Sequence, residues 1–111
     1  MGNRRIIWSK IALRDNVRIA CWYRDRLGNM AFEHYNKGIS GTVRTLAQIP
    51  TIGRVDTRFS KDKTIYYSFL AHPKYRIVYR YTQRTLYIVA IRSTMMKKSF
   101  LCRVIDVGHI G

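Results

Sequence analysis

Apolar residues recur at helical spacing before Pro50 and at strand-like spacing after it. Residues three and four positions apart share one face of a helix, whereas alternate residues share one face of a strand. A helix also tends to end ahead of a proline, because the proline ring disfavours the α conformation of the preceding residue. The change of period therefore predicts helices in the first half of the chain and strands in the second.

The first half is expected to hold one short strand and two helices. Residues 4–8, R-R-I-I-W, are typical of a short strand. Two helical stripes follow, and Gly28-Asn29 separates them because both residue types tolerate the left-handed conformation at the end of a helix. So short a connection predicts an antiparallel helical hairpin. The stripes consist of Ala12, Asn16, Ile19, Tyr23 and Leu27, and of Ala31, Tyr35, Ile39, Thr42, Leu46 and Ile49.

The second half is expected to form a three-stranded antiparallel meander. Its strand-like runs are residues 64–71, 74–81 and 84–92. A strand, a helical hairpin and this meander together make an α+β fold. The length fits a single domain of residues 1–111, with a core of about residues 4–98 and a C-terminal tail of residues 99–111.

The register of the last two strands decides which side chains face away from the helices. Pairing Tyr81 with Arg84 across the turn sets the register of the whole hairpin. The core face then contains Tyr75, Ile77, Tyr79, Leu86, Ile88 and Ala90. The opposite face, called the outward face, contains Lys74, Arg76, Val78, Arg80, Thr85, Tyr87, Val89 and Ile91. The outward face is thus predicted to carry cations and one tyrosine around an apolar strip.

Charge is the strongest signal in the composition. Twenty-one Lys and Arg residues oppose six Asp and Glu residues, which gives a formal net charge of +15, and residues 63–98 contain no acid. A field of one sign repels itself unless an anionic partner neutralises it. A solubilising surface is the alternative, but solubility does not require one sign, because mixed charges serve equally well. We therefore expect a nucleic acid or an acidic protein as partner.

Several other classes of protein do not fit the sequence. No apolar run approaches the about 18 residues of a membrane span, and the N-terminal residues lack the pattern of a secretory signal. We therefore expect no membrane association and a cytoplasmic location. The histidines are scattered and no metal-binding spacing occurs, so we expect no metal. We also expect no other cofactor and no small-molecule ligand. Cys21 and Cys102 are expected to be reduced.

Four short motifs follow one another along the chain. They are I-I-W-S-K-I-A at residues 6–12, L-A-Q-I-P-T-I-G-R at 46–54, Y-R-I-V-Y at 75–79 and L-Y-I-V-A-I-R at 86–92. In this order and at this spacing they resemble the RelE/ParE superfamily of type II toxin–antitoxin toxins. The first resembles the strand that runs into helix one, the second the exit from helix two, and the last two a pair of adjacent strands. The resemblance covers residues 4–98 and implies the same α+β fold.

The superfamily has two branches. RelE-like members enter the ribosomal A site and cleave mRNA, whereas ParE-like members poison DNA gyrase and need no nuclease chemistry. Both are held inactive by an acidic antitoxin that wraps the toxin. The resemblance therefore implies a growth-arresting toxin, an acidic antitoxin as its partner, and either the ribosome with its mRNA or gyrase as its target.

Cleavage of RNA beside a 2′-hydroxyl requires a base, an acid and cations that stabilise the pentavalent phosphate. The resemblance to the nuclease branch implies that Arg76 contacts the phosphate, and Tyr87 is the candidate for a second catalytic residue. The residues expected to bind RNA or phosphate are Arg54, Lys74, Arg80, Arg92, Lys97 and Lys98. The alternative for Arg76 is a solvent-exposed strand residue without a catalytic role.

The sequence departs from the nuclease branch at two places. Where that branch has a terminal His-Tyr or a basic residue after the last strand, this chain has Ser93, Thr94 and Met95. Where RelE-like members have two lysines on the preceding strand, this chain has Tyr67 and Phe69. The residues that would have to replace them are Tyr66, Tyr87 or His72.

The sequence thus favours a toxin that cleaves mRNA on the ribosome and is neutralised by an acidic antitoxin. Two alternatives stay open. One is a ParE-like inhibitor of DNA gyrase without nuclease activity, so the sequence leaves open whether the chain is an enzyme. The other is a non-toxic RNA-binding module, which would share the charge but would not explain the four motifs.

Overall fold

The computed structural model describes residues 3–60, 63–72 and 75–93. It has two helices, α1 (Lys10–Leu27) and α2 (Asn29–Gln48). It has five strands: β1 (Arg5–Trp8), β2 (Arg54–Val55), β3 (Tyr67–His72), β4 (Tyr75–Tyr81) and β5 (Thr85–Ser93). A single 3-10 turn, Pro50–Ile52, lies between α2 and β2. The predicted N-terminal strand, helical hairpin and antiparallel meander are present, which confirms the α+β fold class.

The strands form one five-stranded sheet in the order β1-β5-β4-β3-β2. Neighbouring strands are antiparallel except for β1, which lies parallel to β5. The two residues of β2 form a strand in addition to those expected from the sequence. Both helices contribute to a core on one face of the sheet. The opposite face is the outward face.

Ser9 fixes the start of α1 to the sheet. Its side-chain oxygen accepts a hydrogen bond from the Ala12 N–H (2.9 Å), and its hydroxyl donates to the carbonyl oxygen of Val89 (2.8 Å). Its backbone N–H donates to the carbonyl oxygen of Ile88 (2.9 Å). A serine at this position satisfies a helix N–H that has no partner within the helix. The same residue therefore begins α1 and holds it against β5.

Gly28 separates the two helices. Its φ of 97° lies in the left-handed region that favours glycine. Its N–H donates to the carbonyl oxygen of Arg24 (2.9 Å) and closes α1. Because α2 begins at the next residue, the hairpin is antiparallel as predicted. Tyr35 of α2 then joins the helices by donating its hydroxyl proton to Oδ1 of Asn16 (2.8 Å).

The exit from α2 is built around Tyr79. This residue is fully buried in the core and donates a hydrogen bond to the carbonyl oxygen of Pro50 (2.6 Å). A Cβ atom on Gly53 would overlap the Tyr79 hydroxyl and would lie 2.9 Å from the carbonyl oxygen of Ser68. Only glycine therefore fits where the chain passes between Tyr79 and β3 and delivers Arg54 to β2.

The register of β4 and β5 differs from the prediction. Tyr81 lies opposite Leu86, two positions beyond the predicted partner Arg84. The Thr82 side chain explains the difference, because its oxygen accepts hydrogen bonds from the backbone N–H groups of Arg84 (3.3 Å) and Thr85 (3.1 Å) and lengthens the turn. A shift of two residues leaves each side chain on its predicted face.

A β-bulge at Val89 changes the register a second time. Val89 has no partner between the pair Tyr79–Ile88 and the pair Val78–Ala90. One extra residue in a strand exchanges the faces of the residues that follow it. The periodicity of the sequence does not reveal this bulge, because every residue of the segment from Ile88 to Ala90 is apolar.

Because of the bulge, the residues near the end of β5 lie on the opposite face of the sheet from the one predicted. Ile91 lies in the core opposite Ile77, although the prediction placed it on the outward face. Ala90, predicted for the core face, lies instead opposite Val78 on the outward face. Arg92 therefore emerges on the outward face.

Within the described residues, no helix is long and apolar enough to cross a membrane. The same residues include no group of three or more His, Cys, Asp or Glu side chains that could hold a metal ion. Cys21 is disulfide-bonded, in contrast to the predicted reduced thiol. Cys102, Lys74, Lys97 and Lys98 lie outside the described residues, as does the side chain of His72.

Candidate anion-binding site

Arg76 and Arg92 are direct cross-strand neighbours on β4 and β5. Their positions put both side chains on the outward face, because the core neighbours Tyr75 and Ile77 project the other way. Directly opposed residues have Cβ atoms about 4.5–5.5 Å apart, and like charges in such a pair destabilise a sheet. An anion bound between the two guanidinium groups would relieve this repulsion.

A loop of residues 56–60, called the cover loop, lies over this part of the outward face. Oδ1 of Asp56 accepts hydrogen bonds from the backbone N–H groups of Arg58 (3.1 Å) and Phe59 (3.0 Å), which is an Asx-turn. The Asp56 N–H donates to the carbonyl oxygen of Tyr66 (2.8 Å). The Ser60 hydroxyl donates to the Asp56 carbonyl oxygen (2.8 Å) and accepts from the Tyr66 N–H (2.9 Å). These bonds give the loop a fixed shape.

Phe59 connects the cover loop to the sheet. Cζ of Arg92 lies 5.7 Å from the centroid of the Phe59 ring, within the range of a cation–π contact. The same ring packs edge to face against Tyr66, with centroids 5.1 Å apart and an angle of 88° between the rings. The guanidinium group of Arg92 is therefore positioned beneath the cover loop.

Two cavities lie between the cover loop and the sheet. One of about 510 Å³ extends to β2 and includes Arg54 in its lining, and one of about 550 Å³ extends to β5 and includes Arg92. Asp56, Arg58 and Arg76 line both cavities, so the two adjoin each other. Arg54, Arg58, Arg76 and Arg92 are called the arginine cluster.

The arginine cluster has a large excess of positive charge. Among the described residues, one carboxylate, Asp56, lines the cavities beside the four guanidinium groups. Between the residues that the structure describes, the only ion pair joins Arg24 to Asp25 on α1 (3.4 Å), so no described acid pairs with the cluster. A guanidinium group stays protonated and presents its N–H donors as a planar fork that matches phosphate or carboxylate oxygens. The cluster is therefore suited to binding an anion.

Arg80 and Tyr87 form a separate pair on the outward face. They lie opposite each other on β4 and β5, and Cζ of Arg80 is 3.9 Å from the centroid of the Tyr87 ring. Arg80 is four residues from Arg76, roughly 13 Å along a strand that rises about 3.3 Å per residue. Tyr87 lines neither cavity. The two predicted catalytic residues, Arg76 and Tyr87, therefore share a face but not a cavity.

The structure brings together three residues that the sequence singled out, Arg54, Arg76 and Arg92. Their roles, like those of Tyr87 and Arg80, stay predictions. Sequence reasoning missed Arg58, because its place depends on how the cover loop folds. The signal that could have found it is the segment D-T-R-F at residues 56–59, since an Asp that accepts the N–H two residues later is typical of an Asx-turn.

Asp15 supports the cluster from the helix side of the sheet. Its Oδ2 accepts a hydrogen bond from the Ile91 N–H (2.9 Å), next to Arg92 in β5. Burial raises the pKa of Asp15 above its usual range, while the hydrogen bond from Ile91 and the charges of Arg92 and Arg18 act in the opposite direction. Asp15 thus satisfies an N–H of β5 beyond the stretch that pairs with β1.

Comparison with known families adds the decisive observation. The family model described as "ParE toxin of type II toxin-antitoxin system, parDE" matches residues 6–98. The chain belongs to this toxin family. The resemblance to the RelE/ParE superfamily is thereby confirmed. This ParE-family toxin is one component of a type II toxin–antitoxin system, in which its partner is an antitoxin.

Two solved structures are similar to the ParE-family toxin. A chain of the chromosomal ParDE TA system from P. aeruginosa is 16% identical, with a TM-score of 0.65, and the match covers 81% of this chain and 95% of that chain. The YoeB/ParE toxin from Agrobacterium tumefaciens is 17% identical, with a TM-score of 0.51, and the match covers 80% and 96%. At these identities the likeness shows the fold alone. The sequence matches none of the curated proteins with which it was compared.

Proposed function

We propose that this ParE-family toxin arrests growth by binding and inhibiting DNA gyrase rather than by cutting RNA. The observation that carries the proposal is the make-up of the cavity lining beside the cover loop. Its described cationic groups are guanidinium groups, which bind anions but stay protonated at neutral pH and so neither release nor take up protons. The match to the ParE family over residues 6–98 supports the same branch, because the ParE-like resemblance implies gyrase as target.

RNA cleavage would need a group that removes the 2′-hydroxyl proton and a group that protonates the leaving 5′-oxygen. Within the described lining, the ionisable side chains are the arginine cluster and Asp56. Oδ1 of Asp56 is occupied by the N–H groups of Arg58 and Phe59. This lining supports charge neutralisation and binding more directly than it supports acid–base chemistry.

Ribosome-dependent mRNA cleavage is the second candidate function. The pairing of Arg76 with Arg92 favours it, because two adjacent guanidinium groups can stabilise a phosphate that gains charge during the reaction. The proton carriers would then have to come from outside the described cavity lining. The protein would be an mRNA endonuclease in this case, whereas a gyrase inhibitor of this kind need not be an enzyme. Either target places the site of action in the cytoplasm.

The antitoxin partner is proposed to be acidic. The toxin has a net charge of +15 and no acid between residues 63 and 98. An acidic segment that folds upon binding would neutralise this region, and opposite charge would speed its association. Co-expression with such an antitoxin should yield a tight complex and restore growth.

Controlled induction of the toxin in growing cells separates the two candidate functions. Inhibition of gyrase should produce DNA breaks covalently linked to gyrase, while the 5′ ends of mRNA remain as in uninduced cells. Cells that express the toxin together with its antitoxin are the control and should show neither change. New mRNA 5′ ends at A-site codons without DNA breaks would contradict the proposal and support the second candidate.

A further inference from the structure

We infer that the arginine cluster is a binding site for the phosphodiester backbone of DNA, held between the cover loop and the sheet. The choice of DNA rests on the proposed function, because an inhibitor of gyrase meets DNA at its target. The toxin would therefore contact nucleic acid as well as protein when it acts.

The cluster would approach a bound anion from two sides. Arg58 belongs to the cover loop, whereas Arg76 and Arg92 belong to adjacent strands of the sheet, and all three line the cavity of about 550 Å³. The cation–π contact with Phe59 limits the freedom of Arg92 before any ligand binds. A preorganised group loses less conformational entropy on binding, so the site favours affinity for an anion of matching shape.

The length of the cluster favours a chain of phosphates over a single anion. Arg54 lies on β2 and Arg92 on β5, which are three strand spacings apart, or roughly 14 Å at about 4.8 Å per spacing. Each strand of B-DNA presents a phosphate about every 3.4 Å along the helix axis. More than one phosphate therefore falls within reach of the cluster, whereas an isolated small anion would use only part of it.

The Phe59 ring favours nucleic acid over an acidic peptide. It lines the same cavity as Arg58, Arg76 and Arg92. Proteins that bind single strands of nucleic acid combine positive charge along the backbone with aromatic rings on which bases stack, so the ring would act where a DNA strand is unpaired. An acidic peptide offers carboxylates to the arginines but no base to the ring.

The charge balance of the site also favours a polyanion. Asp56 is the one described carboxylate in the lining, and its Oδ1 faces the backbone N–H groups of the cover loop. The four arginines otherwise repel one another. Binding of DNA phosphates would relieve this repulsion and release the counterions of the DNA, so affinity should fall steeply with salt.

The test measures binding of a short fluorescent DNA duplex, and of one of its single strands, to the purified full chain by anisotropy. The variant is Arg76→Ala/Arg92→Ala. The matched control is Arg14→Ala/Arg44→Ala, which removes the same charge from exposed positions on the helices at the other face of the sheet. Thermal unfolding of each protein confirms that it is folded before binding is compared.

We expect the Arg76/Arg92 variant to bind the duplex at least about tenfold more weakly than wild type, as the loss of charge-assisted hydrogen bonds implies. The slope of log affinity against log salt should become shallower by about 2, close to 0.9 for each lost phosphate contact. The Arg14/Arg44 control should retain nearly the wild-type slope. Arg58→Ala alone should reduce the slope by about 1, which tests the contribution of the cover loop.

Equal affinities and slopes for the two double variants would overturn the inference, since binding would then follow net charge alone. Binding of an acidic polyglutamate peptide with no binding of either DNA form would also overturn it. A parallel assay of wild-type toxin on gyrase keeps the two claims distinct. Gyrase inhibition together with DNA binding that Arg76→Ala/Arg92→Ala does not weaken more than the control would reject the inference only. DNA binding through the cluster without gyrase inhibition would reject the proposed function only.

Discussion

The backbone N–H of Ile91 donates a 2.9 Å hydrogen bond to Oδ2 of Asp15. Near the end of β5, a carboxylate of α1 therefore accepts the hydrogen bond that a neighbouring strand would otherwise accept. The pairing of β5 with β1 ends at Ile88, and the bulge at Val89 follows. Asp15 therefore holds the segment of β5 whose shifted register presents Arg92 beside Arg76.

Replacement of Asp15 by asparagine should change how stability depends on pH. Burial raises the pKa of Asp15 in the folded chain, so the folded state binds more protons than the unfolded state between the two pKa values. The contribution of Asp15 to stability is therefore fully present below the unfolded pKa and is lost as pH rises through the folded pKa. Asp15→Asn keeps an acceptor for the Ile91 N–H and removes this loss, so it should gain stability relative to wild type as pH rises from acid to neutral.

Chemical denaturation across that pH range measures the effect. Asp15→Ala is the contrast, because it leaves the buried Ile91 N–H without its acceptor and should be about 1–3 kcal/mol less stable than Asp15→Asn at every pH, since neither side chain titrates. An Asp15→Asn protein that becomes steadily less stable than wild type as pH rises would show that the charge of Asp15 stabilises the fold.

Ser9→Ala should destabilise the protein by about 1–2 kcal/mol, since it removes the cap of α1 and the hydrogen bond to the Val89 carbonyl oxygen. Ser40→Ala is the control, because Ser40 is exposed within α2 and should change stability by no more than about 0.5 kcal/mol. Urea denaturation of both variants measures the difference. Equal stabilities would mean that water replaces the bonds of Ser9 without cost.

Gly53→Ala should destabilise the protein by about 1–3 kcal/mol, because the added methyl group would displace the Tyr79 hydroxyl from Pro50. Gly41→Ala is the matched substitution, since a Cβ atom at Gly41 meets nothing within 4 Å. In the interior of α2 it should raise stability by about 0.5–1 kcal/mol. The melting temperature measured by thermal unfolding should therefore fall for Gly53→Ala and rise for Gly41→Ala. A Gly53→Ala protein as stable as wild type would contradict the close packing at the exit from α2.

Arg76→Ala should leave the free energy of unfolding within about 0.5 kcal/mol of wild type, because the side chain lies on the outward face and its removal lessens repulsion with Arg92. The same variant should lose toxicity in cells. Arg84→Ala, at an exposed position in the β4–β5 turn, is the control and should remain toxic. A variant that unfolds at normal growth temperature would show that Arg76 is structural.

Local patterns in the sequence account for most of the fold. The two helical stripes, the Gly28 break and the stop ahead of Pro50 define the hairpin, because each depends on residues near one another in the chain. The alternation of side chains along a strand placed Arg76, Arg80 and Tyr87 correctly on the outward face, although the predicted cross-strand partner of Tyr81 was wrong. This succeeded because a register error of two residues preserves faces.

The features that assemble the candidate site depend on contacts between distant residues. The bulge at Val89 is flanked by the bond from Ser9 to Val89 and the bond from Ile91 to Asp15, which join residues 80 and 76 positions apart. The cover loop takes its shape from Asp56 and places Arg58 opposite β4, which the composition of a polar segment does not reveal. The sequence therefore identified Arg76 and Arg92 separately, and the structure placed them side by side.

This ParE-family toxin is proposed to inhibit gyrase. The most direct measurement is the amount of cleaved plasmid DNA that accumulates when purified gyrase is incubated with the wild-type toxin, beside programmed ribosomes treated with the same preparation. Inhibition of gyrase should give trapped cleaved DNA, suppressed when the antitoxin is added, and intact mRNA. Uncleaved plasmid together with mRNA cut at the A site would contradict it.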